Sequence, residues 1–204
     1  MVIEADRIAR SRIATALLLG IVAALWWPVP PTLASDPEQG AKKEDAAMDF
    51  VLSTPAFSGG ASIPVKHTCD GEDRSPELHW TQPPTGAVSL ALIVDDPDAP
   101  GGDWVHWVLF DVPASVRSLP EGVPASGKLE SPAGARQGRN DFGKIGWGGP
   151  CPPPGKPHRY FFRLFALTKP LGLEPGATKA DVERTMKGHV LARAEMVGTY
   201  ARRR

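Results

Sequence analysis

The chain has 204 residues, 42% hydrophobic and 23% charged, which is the size and balance of one ordinary globular domain. Lysine plus arginine equals aspartate plus glutamate at 23 each, so no basic surplus supplies the electrostatic footprint of a nucleic-acid-binding protein. Twenty-two prolines and 21 glycines exceed the usual shares of about 5% and 7%, and they punctuate β-rich runs, which predicts many short strands and turns.

At the N-terminus, Arg7, Arg10 and Arg12 precede the apolar run Ile13 to Trp27, which ends at Pro28 and is followed by Thr32-Leu33-Ala34. A helix over that run would be about 22 Å long, short of the ~30 Å hydrocarbon core, so the pattern predicts a secretory signal peptide over residues 1–34. An uncleaved membrane anchor is the alternative, because Glu4 and Asp6 are unusual so early. Location is therefore expected to be periplasmic or secreted. Residues 35–48 are polar, charged and without periodicity, the composition of a flexible leader. Phe50-Val-Leu and Ala56-Phe57 open a single domain spanning 49–200, and 201–204 form a basic tail.

Within the domain, Ile63 to Thr68 reads as the start of a strand, Cys69 to Pro76 as a long turn, and Leu78-His-Trp80 as a short extended segment. Pro83-Pro-Thr-Gly86 turns the chain into Leu90-Ala-Leu-Ile-Val-Asp-Asp-Pro-Asp-Ala-Pro100, a buried strand running into an acidic turn. Trp104 to Phe110 follows as a second strand. Strict alternation puts His106 on one face with Trp104, Val108 and Phe110, and Val105, Trp107 and Leu109 on the other. Residues 113–141 are rich in Pro, Gly, Ser and Ala and show no clear element. A Gly/Pro loop, 143–157, then enters a third strand on which His158, Tyr160, Phe162 and Leu164 share a face. Thr178-Lys-Ala-Asp181 has the form of a capping box, with Val182 and Met186 at helical spacing. A second helix is expected from Val190 to Val197, stopping at Gly198.

The segments Asp96-Pro-Asp-Ala-Pro100, Trp104-x-His106-Trp107, Gly148-Gly-Pro-Cys-Pro-Pro153 and His158-Arg-Tyr160 occur in the order seen in one family. Cys69-Asp-Gly71 upstream and Gly188 to Gly198 downstream add to the match. From Phe50 to Gly198 the chain resembles the phosphatidylethanolamine-binding protein (PEBP) family, in its bacterial branch of Raf-kinase-inhibitor-like proteins. The resemblance implies a mainly β fold, with a large antiparallel sheet packed with a smaller sheet and short helices at the C-terminus. It also implies a pocket at the end of the main sheet for phosphate-bearing head groups and small anions. Carried over by position, that pocket would use Asp96, Asp98, His106, His158 and Tyr160, with Gly149 and Pro150 as its rim. Cys69 and Cys151 fall in loops near the same site, and in an oxidising compartment an even cysteine count favours a disulfide over two free thiols.

The residues themselves suit that chemistry. Imidazole N–H, tyrosine O–H and glycine N–H donate to phosphate oxygens. A carboxylate cannot accept from an ionised phosphate, so the aspartates would orient an imidazole or receive a ligand ammonium. If protonated imidazole contributes, anion affinity should weaken as pH rises past about 6.5. The expected ligand is thus a small anion or zwitterion, with no nucleic acid and no cofactor. Peripheral lipid contact and a homodimer stay open, and the sequence marks no protein target.

Duller readings compete at each position. A lone histidine among aromatics is more often a hydrogen-bonded core group than a ligand, and that reading stands for His67, His79 and His189. Asp95 reads as a strand-end residue, Arg159 and Arg163 as structural or solvated. A metal-dependent hydrolase is the rival enzyme reading, without His-Glu-x-x-His spacing or a Gly-x-Ser-x-Gly nucleophile to support it. An inhibitor of an envelope or secreted protease or kinase is a third, with no reactive loop to mark it.

Overall fold

The computed structural model describes residues 49–202; the segments expected to be signal peptide and leader, and the end of the basic tail, lie outside the described residues. Among the described residues, eight strands form two antiparallel sheets. β1 (Leu52–Ser53), β2 (Leu78–Trp80) and β5 (Ser118–Leu119) make a small sheet in the order β1-β2-β5. The large sheet has the order β6-β4-β3-β7-β8, from β3 (Ser89–Asp96), β4 (Trp104–Pro113), β6 (Arg136–Gln137), β7 (His158–Leu167) and β8 (Val190–Tyr200). One α-helix, α1 (Lys179–Met186), lies between β7 and β8 among the described residues.

The large sheet is buried on both faces, which is why β3 is a continuous apolar run. Leu90, Leu92, Val94, Trp107, Leu109, Phe162 and Leu164 face the small sheet and pack on Leu52, Leu78, Trp80 and Leu119. Ala91, Ile93, Val105, Val108, Phe110 and Phe165 face the other way and are covered by Val182 and Met186 of α1. The capping box forms in full: Thr178 accepts from the Asp181 amide, and the Asp181 carboxylate accepts from the Thr178 amide.

Four expectations are corrected. The second C-terminal helix is instead β8, paired residue by residue with β7 from His158↔Tyr200 to Ala166↔Ala192. Leu191, Ala192, Arg193, Ala194, Glu195 and Met196 are good helix formers in isolation. However, the exposed edge of β7 needed a partner, and alternate residues Ala194, Met196 and Tyr200 are buried while Leu191, Arg193 and Glu195 are exposed. Gly198 fits this strand because a Cβ there would lie 2.6 Å from Ile63 and 2.8 Å from Phe57. At Ile63 to Thr68 the chain makes a 3-10 turn, Val65–His67, in place of a strand, since Pro64 supplies no amide to a ladder. Residues 113–141 do carry structure, namely β5, β6 and the buried Gln137 and Asn140.

The fourth correction concerns β4. Asp95 pairs with Val105 but Val94 pairs with Trp107, so His106 is the extra residue of a β-bulge. Val108 and Phe110 consequently belong with Val105 in the layer beneath α1, while the His106 ring meets Tyr160 in the opposite layer. The bulge aims His106 into the end of the sheet.

Candidate functional site

At that end of the sheet lies an open pocket of about 220 Å³, and Asp96, His106 and His158 all line it. Asp96 ends β3 and is 3% exposed. Its Oδ1 accepts from the Asp98 amide at 2.8 Å, and its Oδ2 is 2.8 Å from His158 Nδ1. A carboxylate accepts, so His158 donates from Nδ1 and keeps Nε2 for other partners. His106 Nδ1 is 2.6 Å from the Gly148 carbonyl, which can only accept, so this ring too carries its proton on Nδ1. Burial pushes the His106 pKa below the ordinary 6.5, against the opposing pull of the Gly148 carbonyl and the Asp96 charge. At neutral pH its Nε2 therefore offers a lone pair, not a proton.

Tyr160 packs edge-on against His106 with ring centroids 5.1 Å apart. It stands behind the histidine and outside the lining. Its hydroxyl is buried without a hydrogen-bond partner. Burial first, and then the nearby Asp96 charge, push its pKa up, so it remains a phenol with a proton to donate.

The other sequence-chosen residues, Asp98, Gly149 and Pro150, lie outside the lining and brace the loops that form it. Asp98 turns to Arg159, accepting from its amide at 2.9 Å, from Nε at 2.9 Å and from Nη2 at 2.8 Å. That pairing holds the Asp98 carboxyl down at about 2. Arg159 and Asp98 thus latch the turn whose Ala99, Pro100 and Gly101 form one rim. Gly149 donates its amide to Asp73 at 2.6 Å and is packed so tightly that a Cβ would lie 2.5 Å from the His67 carbonyl oxygen. Its amide is therefore engaged by Asp73. The Pro150 carbonyl accepts from Cys69 at 3.2 Å, and Cys69 and Cys151 form a disulfide. Cys151, Pro152 and Pro153 make the opposite rim.

The remaining histidines sit elsewhere. His67 is buried and donates from Nδ1 to the Arg74 carbonyl at 2.9 Å, His79 bonds Glu77, and His189 lies beside Thr168.

Two lining residues complete the pocket, Trp104 and Phe142. Phe142 escaped the sequence reading because it falls in the irregular stretch after β6. The nearest signal was Asn140-Asp141, a turn pair. Buried Asn140 accepts from the amides of Phe142 and Lys144 at 3.1 and 3.0 Å and donates to the Gly146 carbonyl at 3.0 Å. Asp141 clasps Val105 of β4, accepting its amide at 2.7 Å and donating to its carbonyl at 2.9 Å. No lysine or arginine is among the lining residues.

Removing the rim latch should loosen the pocket without unfolding the domain. Asp98→Ala is expected to weaken ligand binding a few-fold while stability falls by no more than about 1 kcal/mol, as for an exposed pair. The pH sign follows from the lowered carboxyl. The latch contributes fully above the ordinary value of 3.8 and is lost as pH falls through about 2. Amide exchange of residues 97–102 in the wild type and variant checks both.

The family model described as Phosphatidylethanolamine-binding protein matches residues 53–201. A UPF0098 protein of Methanothermobacter thermautotrophicus is 54% identical over 151 residues, covering 74% of this chain and 98% of the relative. A UPF0098 protein of Aquifex aeolicus is 50% identical over 149 residues, covering 72% and 85%. Among solved structures, YbcL of Escherichia coli, described as a member of the mammalian PEBP family, superposes with a TM-score of 0.71 at 36% identity, covering 76% of this chain and 99% of that one. A PEBP homologue of Chlamydia trachomatis gives 0.68 at 40%, covering 75% and 97%. With the family model spanning nearly the whole described domain, the chain belongs to the phosphatidylethanolamine-binding protein family.

Proposed function

We propose that this chain is an exported binding protein whose pocket takes phosphate-bearing small molecules or phospholipid head groups. The observation that carries the reading is the meeting of His106, from a bulge in β4, and His158, from the start of β7, in one solvent-open pocket floored by Asp96. Two imidazoles from separate strands, each fixed by its Nδ1 bond, have Nε2 left for a ligand. A zwitterion such as phosphoethanolamine suits the mixture, with its phosphate toward the imidazoles and its ammonium over the Trp104 face or toward Asp96. Export is supported by the N-terminal sequence and by a disulfide between two exposed cysteines, which an oxidising compartment would preserve.

Calorimetric titration with phosphoethanolamine tests the site. Below the lowered His106 pKa, where the protonated ring can donate from Nε2, loss of a charge-assisted hydrogen bond costs about 1.5–3 kcal/mol, so His106→Ala and His158→Ala should each weaken binding there by roughly 10- to 150-fold. Because burial lowers the His106 pKa, protonation that helps an anion is gained only below 6.5. Affinity should rise as pH falls through a midpoint below that value and stay flat above it, a lower window than an unperturbed histidine would give. Unchanged affinity in both variants would remove the site from the reading.

A further inference from the structure

We infer that Phe142 is a specificity residue that makes the pocket prefer phosphate monoesters carrying a flat apolar substituent over inorganic phosphate. The inference rests on the phosphate reading above and adds what the ester's other half must be.

Phe142 is 39% exposed, a large apolar ring left facing water. It is nonetheless held in place. The Asn140 side chain builds the turn beneath it, and Asp141 ties that turn to β4 through both groups of Val105. The ring meets Trp104 edge-on at 5.4 Å and 73°, and His106 at 5.4 Å and 69°. At Gly148 a Cβ would sit 2.6 Å and 2.9 Å from two Phe142 ring carbons, so the missing side chain there lets the ring lie where it does. An exposed aromatic fixed from three sides contributes little to folding, whereas it presents a ready apolar face to anything entering the pocket.

The charge pattern points the same way. Asp96 is the only carboxylate among the lining residues, and no lysine or arginine lines the pocket beside it. Both its oxygens already accept a hydrogen bond. A bare phosphate dianion would enter without a lysine or arginine to neutralise it. Ala99, Pro100, Pro152 and Pro153 give the pocket further apolar walls. A ligand that buries an aryl group against Phe142 and these walls gains hydrophobic stabilisation that inorganic phosphate lacks.

Competing titrations of phenyl phosphate and inorganic phosphate on the full domain read the preference directly. Wild type is expected to bind phenyl phosphate roughly tenfold or more tightly, the discrimination typical of an apolar pocket. In Phe142→Ala the ratio should collapse to within about threefold. Should Phe142→Ala disorder the turn, Phe142→Leu keeps the bulk without the flat face and carries the same comparison. Equal affinities in the wild type, or an unchanged ratio in the variant that stays folded, overturn the inference while leaving the phosphate site standing. No binding of either probe to wild type overturns both.

Discussion

Replacing Cys69 and Cys151 together by serine is expected to lower the unfolding free energy by about 4 kcal/mol, one of the two largest single effects in the domain. The bond joins residues 82 positions apart. On the loop-closure argument, a loop of that size restricts the unfolded chain by roughly 4–5 kcal/mol, and native disulfides are measured to contribute about 2–5. The melting temperature should drop by roughly 10 °C for a domain of this size. Because both cysteines are exposed, a dithiol reductant should reach the bond in the folded protein. The local consequence is for the pocket, since Cys151 stands on its rim. Without the bond, the rim stays attached to the 67–73 loop by two hydrogen bonds, Gly149 to Asp73 and Cys69 to Pro150. Phosphoethanolamine affinity should fall along with stability. Urea denaturation with and without dithiothreitol measures the first effect and calorimetry the second. A loss below about 1 kcal/mol would show that the unfolded chain is already compact across this loop.

How far the site could be read from sequence depends on which contacts are local. His158, Tyr160, Phe162 and Leu164 were legible as one face because β7 is regular from end to end and a period of two suffices. His106 was legible as a site residue but not in its orientation. A bulge is a property of two strands in register, and the single-strand pattern around Trp104 to Phe110 carries no mark of it. Gly149 and Pro150, expected at the rim, fall just outside the lining, and which of their polar groups remain available depends on Asp73 and Cys69, about eighty residues away. The same limit applies to β8: Ala192 to Met196 has helical propensity, and only the vacant edge of β7 makes it a strand. Thr178 and Asp181, by contrast, satisfy each other within one turn, and there the sequence pattern sufficed.

Asp95→Ala is expected to cost about 3–5 kcal/mol, comparable with the disulfide, and through a different mechanism. The acidic turn reads in sequence as one cluster, but alternation along β3 sends Asp96 to the pocket and Asp95 to the opposite face, where it is fully buried. There it accepts from Arg163 and, at 2.6 Å, from Lys179, the first residue of α1. Burial works against the Lys179 charge, but Asp103 and Asp95 together hold its pKa above the ordinary 10.5. Arg163 also reaches Glu195 at 3.1 Å and lies 4.7 Å over the Phe161 ring. Removing the carboxylate leaves two part-buried cations facing each other, and the remaining acids, Asp103 and Glu195, are more exposed and compensate incompletely. Lys179→Met should cost less, because Asp95 keeps Arg163. The double variant should be less destabilised than the sum of the two single ones, since in it Asp95 and Lys179 are removed as a pair. The network also ties Asp103, beyond the pocket's rim turn, to the strand that carries Asp96. Asp95→Ala should therefore raise amide exchange across residues 97–103 as well as lower the urea midpoint. If the urea midpoint falls as expected but exchange in that turn is unchanged, Asp95 anchors the helix alone and has no part in shaping the pocket.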